Sequence, residues 1–546
     1  MAPDPVVPPG DPVRDPAGPP DGPTPDPALD PAALQVLISR LSGVADEMGA
    51  VLRRAAFSPN IKERADCSAA VFTADGELLV QAEHIPVHLG SMPASVAAAI
   101  GAGLEVAPGD QIVLNDPFAG GTHLNDVTLV APCFLDDRVV GWVANRAHHA
   151  DVGGMTAGSI PPEATEIQQE GLRIPPVVLG PAVVAVLLTN SRTPEERRGD
   201  LDAQIGANVI GVERLAQIMA SGAPVEEILA YGERRMRAAL AALSDGTWQV
   251  EDVLDSFGPR ESQQRPVSLR LTMTKHGDTV EFDFTGCESQ QPGNVNAVEA
   301  VTRSAVAFAI RSATDPTIPA NGGALRPVTV VTRPGTVVAA RPPAAVGAGN
   351  VEVSQRVADL CLRALAGAAP DRVAAGGQGT MNNLILGGAS GWVYYETVGG
   401  GQGGRPPHAG QPPRPGMNGV HTAMTNTMDT PTEALERLLP VEVLRYRLRN
   451  GSGGAGQAPG GDGIERVIQV LEPATASLIT ERRTSHPWGA AGGEPGATGE
   501  NWLWPYGDES ARRRLPDKVT VALEAGDAIQ ILTPGGGGWG AVGEET

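Results

Sequence analysis

The chain has 546 residues, of which 41% are hydrophobic and 19% charged, and this globular composition excludes a wholly disordered protein. Such a length predicts roughly three or four domain-sized units. The formal net charge of −22 argues against nucleic acid and anionic membranes as partners, because both are bound through basic surfaces. The 68 glycines and 49 prolines predict that loops carry much of the fold.

The cysteines and the apolar segments indicate where the protein works. No two of the four cysteines form a C-x-x-C pair, which argues against a zinc ribbon or a disulfide framework. The N-terminus lacks the basic and apolar regions of a signal peptide, and the apolar run 175–189 is interrupted by Pro181 and too short to span a bilayer. We therefore expect a cytoplasmic protein with no membrane partner.

The first predicted element is a helix that follows a proline-rich tail. Residues 1–31 hold twelve prolines and six aspartates and almost no large apolar side chain, which predicts a disordered tail. Asp30 and Pro31 are residue types typical of a helix N-cap and first helical position. Apolar residues at helical spacing then predict a helix to about Arg54: Leu34, Leu37, Ile38, Leu41, Val44, Met48 and Leu52.

Short apolar runs separated by turn signals predict strands in the middle of the chain. The runs 69–72 and 78–80 flank Ala74-Asp75-Gly76 and predict a β-hairpin. The remaining expected elements are strands at 112–114, 127–135, 139–144, 267–274 and 279–284, a final strand pair within 518–532, a helical stretch at 201–243 with a break near 222–224, and a helix after Asn350.

Several nucleotide and hydrolase motifs are absent. None of the three lysines follows a glycine, which excludes a Walker A loop, and the chain has neither G-x-S-x-G nor H-E-x-x-H. The segment 399–404 satisfies G-x-G-x-x-G, but Arg405-Pro406-Pro407 stands where a nucleotide-binding helix would begin. We therefore interpret 399–404 as a flexible or ligand-lining loop.

The densest group of polar residues lies between positions 115 and 151. Three of the nine histidines, His123, His148 and His149, fall within 27 positions of one another. A tight turn at 136–137 would place Asp126 opposite Ala147 and bring these side chains to one end of a hairpin.

Neutral imidazoles and a carboxylate that converge in this way can bind a divalent metal such as Zn²⁺, Mn²⁺ or Fe²⁺ and leave a position for water. The alternative is that these side chains only satisfy loop turns. Because successive strand residues point to opposite faces, at most one of His148 and His149 is a comfortable ligand, and the sequence leaves open which one.

Three further positions carry alternative interpretations. Asp66 is either a fourth oxygen ligand or the partner of a nearby arginine such as Arg64. Cys67 has no neighbour that would activate a thiol, which favours a buried structural cysteine. The segment 346–350 opens a predicted helix, so its backbone amides either bind an anion or are capped by Asn350.

An ordered series of motifs resembles the hydantoinase B/oxoprolinase family, which includes N-methylhydantoinase B-type subunits and relatives of acetone carboxylase alpha-type subunits. The motifs are Ser58–Asp66, His84–Pro93, Asn115–Asp126, His148–Gly154, Gln169–Pro176, Asp202–Gln204, Asp283–Gly286, Ala348–Asn350, Asn426-Thr427 and Thr533–Gly537. The resemblance spans residues 32–540 and leaves 1–31 and 541–546 as tails. It implies a mixed α/β (α+β) subunit with several sheets, a metal site at the end of a β-hairpin, surrounding helices and many Gly/Pro loops.

The resemblance also implies a function. In this family a separate hydantoinase A-type ATPase subunit uses ATP to phosphorylate the oxygen of a cyclic amide or imide, and the B-type subunit completes the hydrolysis. We therefore expect a hetero-oligomeric enzyme acting on a hydantoin, 5-oxoproline or a related lactam. The family's metal ligands correspond to His123, Asp126 and His148, with Asp66 as a weaker fourth, and Asp151 or His149 is the expected proton-transfer or orienting residue.

Two alternatives stay open at this point. Related subunits carboxylate ketones such as acetone or acetophenone, and a noncatalytic scaffold for the ATPase partner would also fit histidines that only cap turns. Ala157 stands where the family commonly has a proline before Gly-Ser, and the segment 399–417 is rich in proline. The substrate therefore cannot be transferred from relatives by sequence alone.

Overall fold

The computed structural model describes residues 30–83 and 85–542 and confirms the expected mixed α/β architecture. The predicted disordered tail lies almost wholly outside the described residues, as do His84 and the end of the predicted C-terminal tail. The described residues form ten α-helices: α1 Pro31–Ala55, α2 Pro59–Lys62, α3 Met92–Gly101, α4 Pro181–Asn190, α5 Pro194–Met219, α6 Glu226–Ala241, α7 Glu299–Ala313, α8 Gly322–Leu325, α9 Ser354–Ala368 and α10 Thr432–Leu438.

The same residues form nineteen strands in four sheets. The strands are β1 Cys67–Phe72, β2 Leu78–Glu83, β3 Ile112–Leu114, β4 Asp126–Leu135, β5 Arg138–His148, β6 Val177–Val178, β7 Gly246–Leu254, β8 Val267–His276, β9 Thr279–Asp283, β10 Val328–Val331, β11 Asn383–Gly388, β12 Val393–Glu396, β13 Val441–Arg449, β14 Gly463–Val470, β15 Ala474–Ile479, β16 Glu500–Trp504, β17 Arg513–Leu515, β18 Lys518–Leu523 and β19 Ala528–Leu532.

The N-terminal sheet is covered by helices on both faces. Its six strands run antiparallel in the order β2-β1-β5-β4-β3-β6. The predicted first helix is confirmed as α1, and its apolar stripe packs with α5 and α6 against one face of this sheet. The shorter α3 covers the other face through residues such as Met92 and Val96. The sheet is therefore buried on both sides.

The central unit pairs a second sheet with two long helices. Strands β7 to β10 form a sheet in the order β10-β9-β8-β7, and α7 and α9 pack together with α9 against β7 and β8. Their side chains share one hydrophobic core with the loops that follow β5. The predicted break in the helical stretch 201–243 is confirmed between α5 and α6, whereas β7 was not predicted.

The C-terminal unit is a β-sandwich. A four-stranded sheet, β12-β11-β15-β18, faces a five-stranded sheet, β13-β14-β19-β16-β17, across a common apolar core. The predicted pairing of the last two strands is wrong, because β18 pairs with β15 and β19 pairs with β14 and β16. The turn between them carries the chain from one sheet to the other instead of closing a hairpin.

The glycine excess has a structural reason in this unit. Extended segments around 401–404, 453–461 and 535–538 run side by side, joined by backbone hydrogen bonds such as Gly404 N to Gly537 O at 2.8 Å. A Cβ at Gly536 would lie 2.1 Å from the carbonyl oxygen of Gln402. Only glycine permits so close an approach of backbones. The segment 399–404 is thus packed closely against neighbouring backbone and is not the flexible loop that the sequence suggested.

The membrane and cysteine predictions can be compared with the described residues. The apolar run 175–189 forms β6 and the ten-residue α4, and no helix within 30–83 and 85–542 is long and apolar enough to cross a membrane. Cys67 is fully buried, and burial raises the pKa of its thiol to about 12. A structural cysteine is the better interpretation of Cys67.

Candidate metal centre

The polar constellation lies at the open end of the β4-β5 hairpin. Asp136 and Asp137 form the predicted turn with φ of 47° and 60°, conformations that asparagine and aspartate tolerate better than most residues. The predicted register is wrong by one residue because β5 carries a bulge at Val140. Asp126 therefore lies directly opposite His148, and Ala147 lies opposite Val127.

One oxygen of the Asp126 carboxylate faces two imidazoles. Oδ1 lies 3.1 Å from Nε2 of His123 and 3.4 Å from Nδ1 of His148. One ligand atom from each of the three residues falls within 4.8 Å of the others. The side chains of His123, Asp126 and His148 are 0%, 1% and 3% exposed, so the cluster is shielded from bulk water.

The other carboxylate oxygen accepts two hydrogen bonds and has a third polar group nearby. The Thr122 hydroxyl donates to Oδ2 of Asp126 at 2.6 Å, and the Asn350 amide donates to it at 3.3 Å. Nε2 of His88 lies 3.6 Å from the same oxygen. Because Oδ2 is engaged in this way, Oδ1 is the oxygen left to serve as a metal ligand.

Unpaired nitrogen atoms show that the cluster is chemically incomplete. Among the described residues, no hydrogen-bond partner reaches the buried ring nitrogens of His123 or Nε2 of His148, and the short contact from His123 to Asp126 lacks hydrogen-bond alignment. Buried polar groups are nearly always satisfied, since leaving one unpaired costs about 1–3 kcal/mol. Imidazole nitrogens beside a carboxylate are the donor set that Zn²⁺, Mn²⁺ and Fe²⁺ accept. These residues therefore fit a divalent metal.

The local electrostatics favour the protonation states of metal ligands. Burial would raise the pKa of Asp126, but the surrounding His123, His148 and His88 outweigh it and hold that pKa well below its usual range. Burial lowers the pKa of His148 to about 4 and also lowers the pKa of His88. An ionised carboxylate on Asp126 thus faces a neutral imidazole on His148, the protonation states that metal binding requires.

An aromatic ring from the C-terminal sandwich fixes the orientation of His148. Tyr395 in β12 stacks on the imidazole with ring centroids 4.7 Å apart and an interplanar angle of 14°. The Tyr395 hydroxyl donates to Asn383, and Asn383 donates to Glu352 at 2.7 Å. Arg64 donates to the carbonyl oxygen of Tyr395. The sandwich therefore contributes directly to the geometry of this site.

Asp66 lies beside the cluster but outside its closest group. Its carbonyl oxygen accepts a hydrogen bond from the backbone amide of His148 at 3.1 Å. Burial and the nearby charge of Asp126 raise the pKa of the Asp66 carboxyl to about 7, against the opposing effect of Arg64. The role of Asp66 as a fourth ligand stays a prediction.

His149 and Asp151 point away from the cluster. Nε2 of His149 lies 2.9 Å from Oε1 of Gln204 in α5, and the His149 backbone pairs with Asn125, between His123 and Asp126 in sequence. The Asp151 carboxylate accepts hydrogen bonds from the Arg192 guanidinium and from loop amides such as Gly158 N. Both residues hold the loops that surround the site.

The backbone amides at the start of segment 346–350 are occupied by the side chain of Glu170. The Glu170 carboxylate accepts hydrogen bonds from the amides of Val346 and Gly347 at 3.1 and 2.8 Å. Asn350 is not the N-cap that the sequence suggested, because a π-helical turn, Gly349–Val353, precedes α9 and directs the Asn350 side chain to Asp126. Turns of this kind occur frequently at functional sites.

Sequence reasoning did not identify four residues that shape the cluster. His88 lay within a recognised motif without an assigned role, Asn350 was expected only as a helix cap, and Thr122 stood next to a predicted ligand. Tyr395 gave no local signal, because its contact with His148 arises from the docking of the sandwich.

Comparison with known proteins gives this site a family. The model of the hydantoinase B/oxoprolinase family matches residues 30–542. The chain belongs to this family. The resemblance inferred from the ordered motifs is thereby confirmed.

Its relatives differ in length. The chain is 39% identical to protein MJ0963 of Methanocaldococcus jannaschii, with 93% of this chain and 90% of the relative covered. It is 30% identical to the putative B-type subunit of a D-/L-hydantoinase from a Pseudomonas species, covering 93% of this chain and 89% of that protein. It is 37% identical to 5-oxoprolinase 1 of Arabidopsis thaliana, where the match covers 93% of this chain but only 42% of the plant protein.

Two solved structures share the fold. The ATP-dependent caprolactamase from Pseudomonas jessenii superposes with a TM-score of 0.83 and 28% identity, covering 94% of this chain and 91% of that chain. A nucleotide-free acetone carboxylase superposes with a TM-score of 0.85 over 94% of this chain and 76% of that chain. Its 19% identity shows likeness of fold alone.

Proposed function

We propose that the chain is the B-type subunit of an ATP-dependent amidohydrolase that opens a cyclic amide or imide such as a hydantoin, 5-oxoproline or a related lactam. The observation that carries this proposal is the buried cluster of His123, Asp126 and His148 with unpaired imidazole nitrogens. The names of the 5-oxoprolinase and ATP-dependent caprolactamase relatives support the same substrate class.

Two observations support a separate ATPase partner. The sequence has no Walker A loop. The chain also spans about two fifths of 5-oxoprolinase 1 but most of the B-type hydantoinase relative. We infer that ATP is used by a hydantoinase A-type subunit in a hetero-oligomer.

His123, Asp126 and His148 would hold the divalent metal, with Asp66 as a fourth member of the set. Such an ion lowers the pKa of bound water and so provides hydroxide near neutral pH. Thr122 fixes the Asp126 carboxylate so that Oδ1 faces the two imidazoles. Tyr395 holds the plane of His148, and the burial of the whole cluster keeps bulk water away.

We assign orienting roles to His149 and Asp151. His149 braces the loop between His123 and Asp126 through its paired backbone contacts with Asn125. Asp151 holds the following loop through Arg192 and backbone amides. Their observed partners, Gln204 for His149 and Arg192 for Asp151, favour positioning over proton transfer.

Coexpression with the A-type partner tests the proposal. We expect ring opening of at least one of 5-oxoproline, hydantoin and caprolactam, with ATP consumption, only when both subunits are present. Turnover by the ATPase partner on its own would favour the scaffold alternative. Bicarbonate-dependent carboxylation of acetone or acetophenone without ring opening would favour the carboxylase alternative.

A further inference from the structure

Six arginine side chains within residues 30–83 and 85–542 are fully buried, and they fall into two groups. Among the described residues, Arg64 and Arg146 form no ion pair with a carboxylate, and their hydrogen bonds go to neutral oxygens. A buried charge without a counter-ion is strongly unfavourable. These two arginines are therefore suited to an anion that comes from outside the chain. The other four each have a carboxylate partner: Arg197 with Asp200 at 2.8 Å, Arg356 with Glu481 at 3.5 Å, Arg466 with Glu396 at 3.2 Å and Arg482 with Asp252 at 2.9 Å.

Arg146 lies beside the candidate metal centre on the same face of the sheet. It belongs to β5, two residues before His148, and it pairs with Thr128, two residues after Asp126. Alternate residues of a strand point to the same face, so the Arg146 side chain shares a face with Asp126 and His148. Its guanidinium donates to three serine and threonine hydroxyls. These neutral acceptors fix the position of the charge without cancelling it.

Arg64 adjoins the same centre through Tyr395. The guanidinium carbon of Arg64 lies 5.2 Å from the centroid of the Tyr395 ring, and that ring stacks on His148 with centroids 4.7 Å apart. The guanidinium donates to the Tyr395 carbonyl oxygen and to the hydroxyls of Thr397 and Thr427. Its Nε atom is buried and has no hydrogen-bond partner among the described residues. Arg64 therefore keeps both a donor and a charge available next to His148.

The charge balance of the centre favours an anion with about two negative charges. Asp126 and Asp66 are the proposed metal ligands, so their negative charges would offset a divalent ion. The positive charges of Arg64 and Arg146 then remain without an opposite charge. A phosphoryl group carries about −1.5 to −2 near neutral pH and has three acceptor oxygens. In the proposed function, the amide reaches this centre with such a group on its oxygen.

We propose that Arg64 and Arg146 bind the phosphoryl group of the activated amide at the candidate metal centre. Arg64 donates from Nε to a phosphoryl oxygen, and Arg146 stabilises the anion through its fixed charge. The two arginines thereby retain the phosphorylated intermediate until the ring opens. This assignment rests on the proposed function and adds the residues that receive the intermediate.

The first test uses the complex with its ATPase partner and whichever of 5-oxoproline, hydantoin and caprolactam the wild-type complex opens. ATP consumed and rings opened are measured in the same reaction. Arg64→Gln should lower ring opening by about 100-fold, because a donor to the anion is lost, whereas ATP consumption should fall much less. Phosphorylated amide that is not retained reacts with water to return the lactam and inorganic phosphate. The ratio of ATP consumed to rings opened should therefore rise by about tenfold or more.

Inhibition by inorganic phosphate gives a second measure of the same site. Phosphate should inhibit ring opening by the wild-type complex, and its inhibition constant should rise by about tenfold or more in Arg64→Gln. Arg146→Gln should raise the constant as well. Arg64→Lys and Arg146→Lys, which keep the positive charge, should recover part of the loss.

Metal content and a buried arginine outside the site provide the controls. Metal content should stay at the wild-type level in all these variants, because neither arginine belongs to the proposed ligand set. Arg466→Gln is the matched control, since Arg466 has its own carboxylate partner in Glu396. It should lower the melting temperature and leave both the ATP ratio and the inhibition by phosphate at their wild-type values.

Several results would overturn the inference. An unchanged ATP ratio and unchanged phosphate inhibition in Arg64→Gln, or loss of its metal, would show that Arg64 only holds Tyr395 against His148. An effect of Arg64→Gln on 5-oxoproline but not on caprolactam, which has no carboxylate, would assign Arg64 to the substrate carboxylate instead. If Arg64→Gln does not fold, a wild-type complex that inorganic phosphate does not inhibit would reject the assignment. A wild-type complex that opens none of the lactams would reject the proposed function, and this inference with it.

Discussion

In the candidate metal centre, the two oxygens of the Asp126 carboxylate have different contacts. Oδ2 of Asp126 receives donors from Thr122 and Asn350, while Oδ1 faces His123 and His148. Residues that hold a metal-binding carboxylate commonly change metal affinity when they are replaced, although they never touch the ion. Replacing Thr122 is therefore the most direct way to test whether the hydrogen bond to Oδ2 orients the carboxylate for metal binding.

Replacing Thr122 with valine removes the 2.6 Å hydrogen bond to Oδ2 and keeps the side-chain shape. We expect metal affinity to fall by about 10- to 100-fold because the carboxylate is free to rotate. Thr122→Ser, which retains the hydroxyl, should stay close to the wild-type value. Competition titration with a chelating dye measures the difference, and equal affinities for the valine and serine variants would contradict the expected role.

Glu352 predicts a pH dependence of stability. Burial, reinforced by the charge of Glu481, raises the pKa of its carboxyl from 4.5 to about 8. Between these values the folded chain binds a proton that the unfolded chain does not, so stability from this group is complete below about pH 4.5 and declines as the pH rises to about 8.

Glu352→Gln should remove this decline. The melting temperature of the variant, relative to wild type, is expected to rise by several degrees between pH 5 and pH 8, measured by differential scanning fluorimetry. Glu442→Gln, at an exposed position of β13, provides the control. A constant difference between variant and wild type across this range would show that Glu352 is not protonated in the folded chain.

At the scale of elements, the site depends on irregularities in otherwise regular structure. The Val140 bulge brings Asp126 opposite His148, and the π turn at the start of α9 directs Asn350 to the same carboxylate. The π turn packs closely against the loop before α7. A Cβ on Gly349 would lie only 1.9 Å from the carbonyl oxygen of Asn296. This close contact gives the π turn a specific test.

Gly349→Ala should displace the π turn, draw Asn350 away from Asp126, and lower both the melting temperature and ATP-dependent turnover. Gly206→Ala in α5 is the matched control, since a Cβ there meets no atom within 4 Å. The control should be neutral or stabilising by up to about 1 kcal/mol. Wild-type activity and stability in Gly349→Ala would show that the close packing of Gly349 against Asn296 is not needed to position Asn350.

Elements with strong local signals could be predicted from the sequence, and those fixed by distant packing could not. The residue types at the start of α1 and its apolar stripe were sufficient to predict that helix. The Gly-Ala-Pro segment was sufficient to predict the break between α5 and α6. The turn of the β4-β5 hairpin was also evident, but the bulge at Val140 was not, and one extra residue changes every partner beyond it. The strands β18 and β19 resembled a hairpin, yet each finds its partners in a different sheet.

The same limit applied to the candidate site. Proximity along the chain and on adjacent strands predicted His123, Asp126 and the His148-His149 pair as a group, and only the family resemblance selected His148 as the ligand. The Tyr395 stack, the capture of the 346–347 amides by Glu170, and the contact of His88 with Asp126 join segments that are distant in sequence. No local pattern encodes such contacts.

At the scale of the whole molecule, buried charges join the central sheet to the sandwich. Arg482, just after β15, lies 2.9 Å from Asp252 of β7 and 3.0 Å from Asp359 of α9, and the neighbouring Glu481 lies 3.5 Å from Arg356 of α9. Breaking such buried pairs is costly because a charge is left without a partner. This junction holds the sandwich in place, and the sandwich in turn carries Tyr395 to His148.

The glycine-rich segments 401–404, 453–461 and 535–538 also stabilise the sandwich, through close backbone packing. Gly536→Ala should destabilise the chain by roughly 3 kcal/mol or more, since its Cβ would overlap the backbone of Gln402. Gly43→Ala in α1, where a Cβ meets nothing within 4 Å, serves as control. Urea denaturation measures both, and a Gly536→Ala chain as stable as the control would show that these segments are loosely packed.

The central claim is that His123, Asp126 and His148 form the metal centre of a lactam-opening subunit. The most direct measurement is the metal content of the purified chain by inductively coupled plasma mass spectrometry, for the wild type and for His123→Ala, His148→Ala and the half-exposed His408→Ala. We expect about one divalent ion per chain in the wild type and in His408→Ala, and loss of the ion in the two cluster variants. Unchanged metal content in His123→Ala and His148→Ala would contradict it.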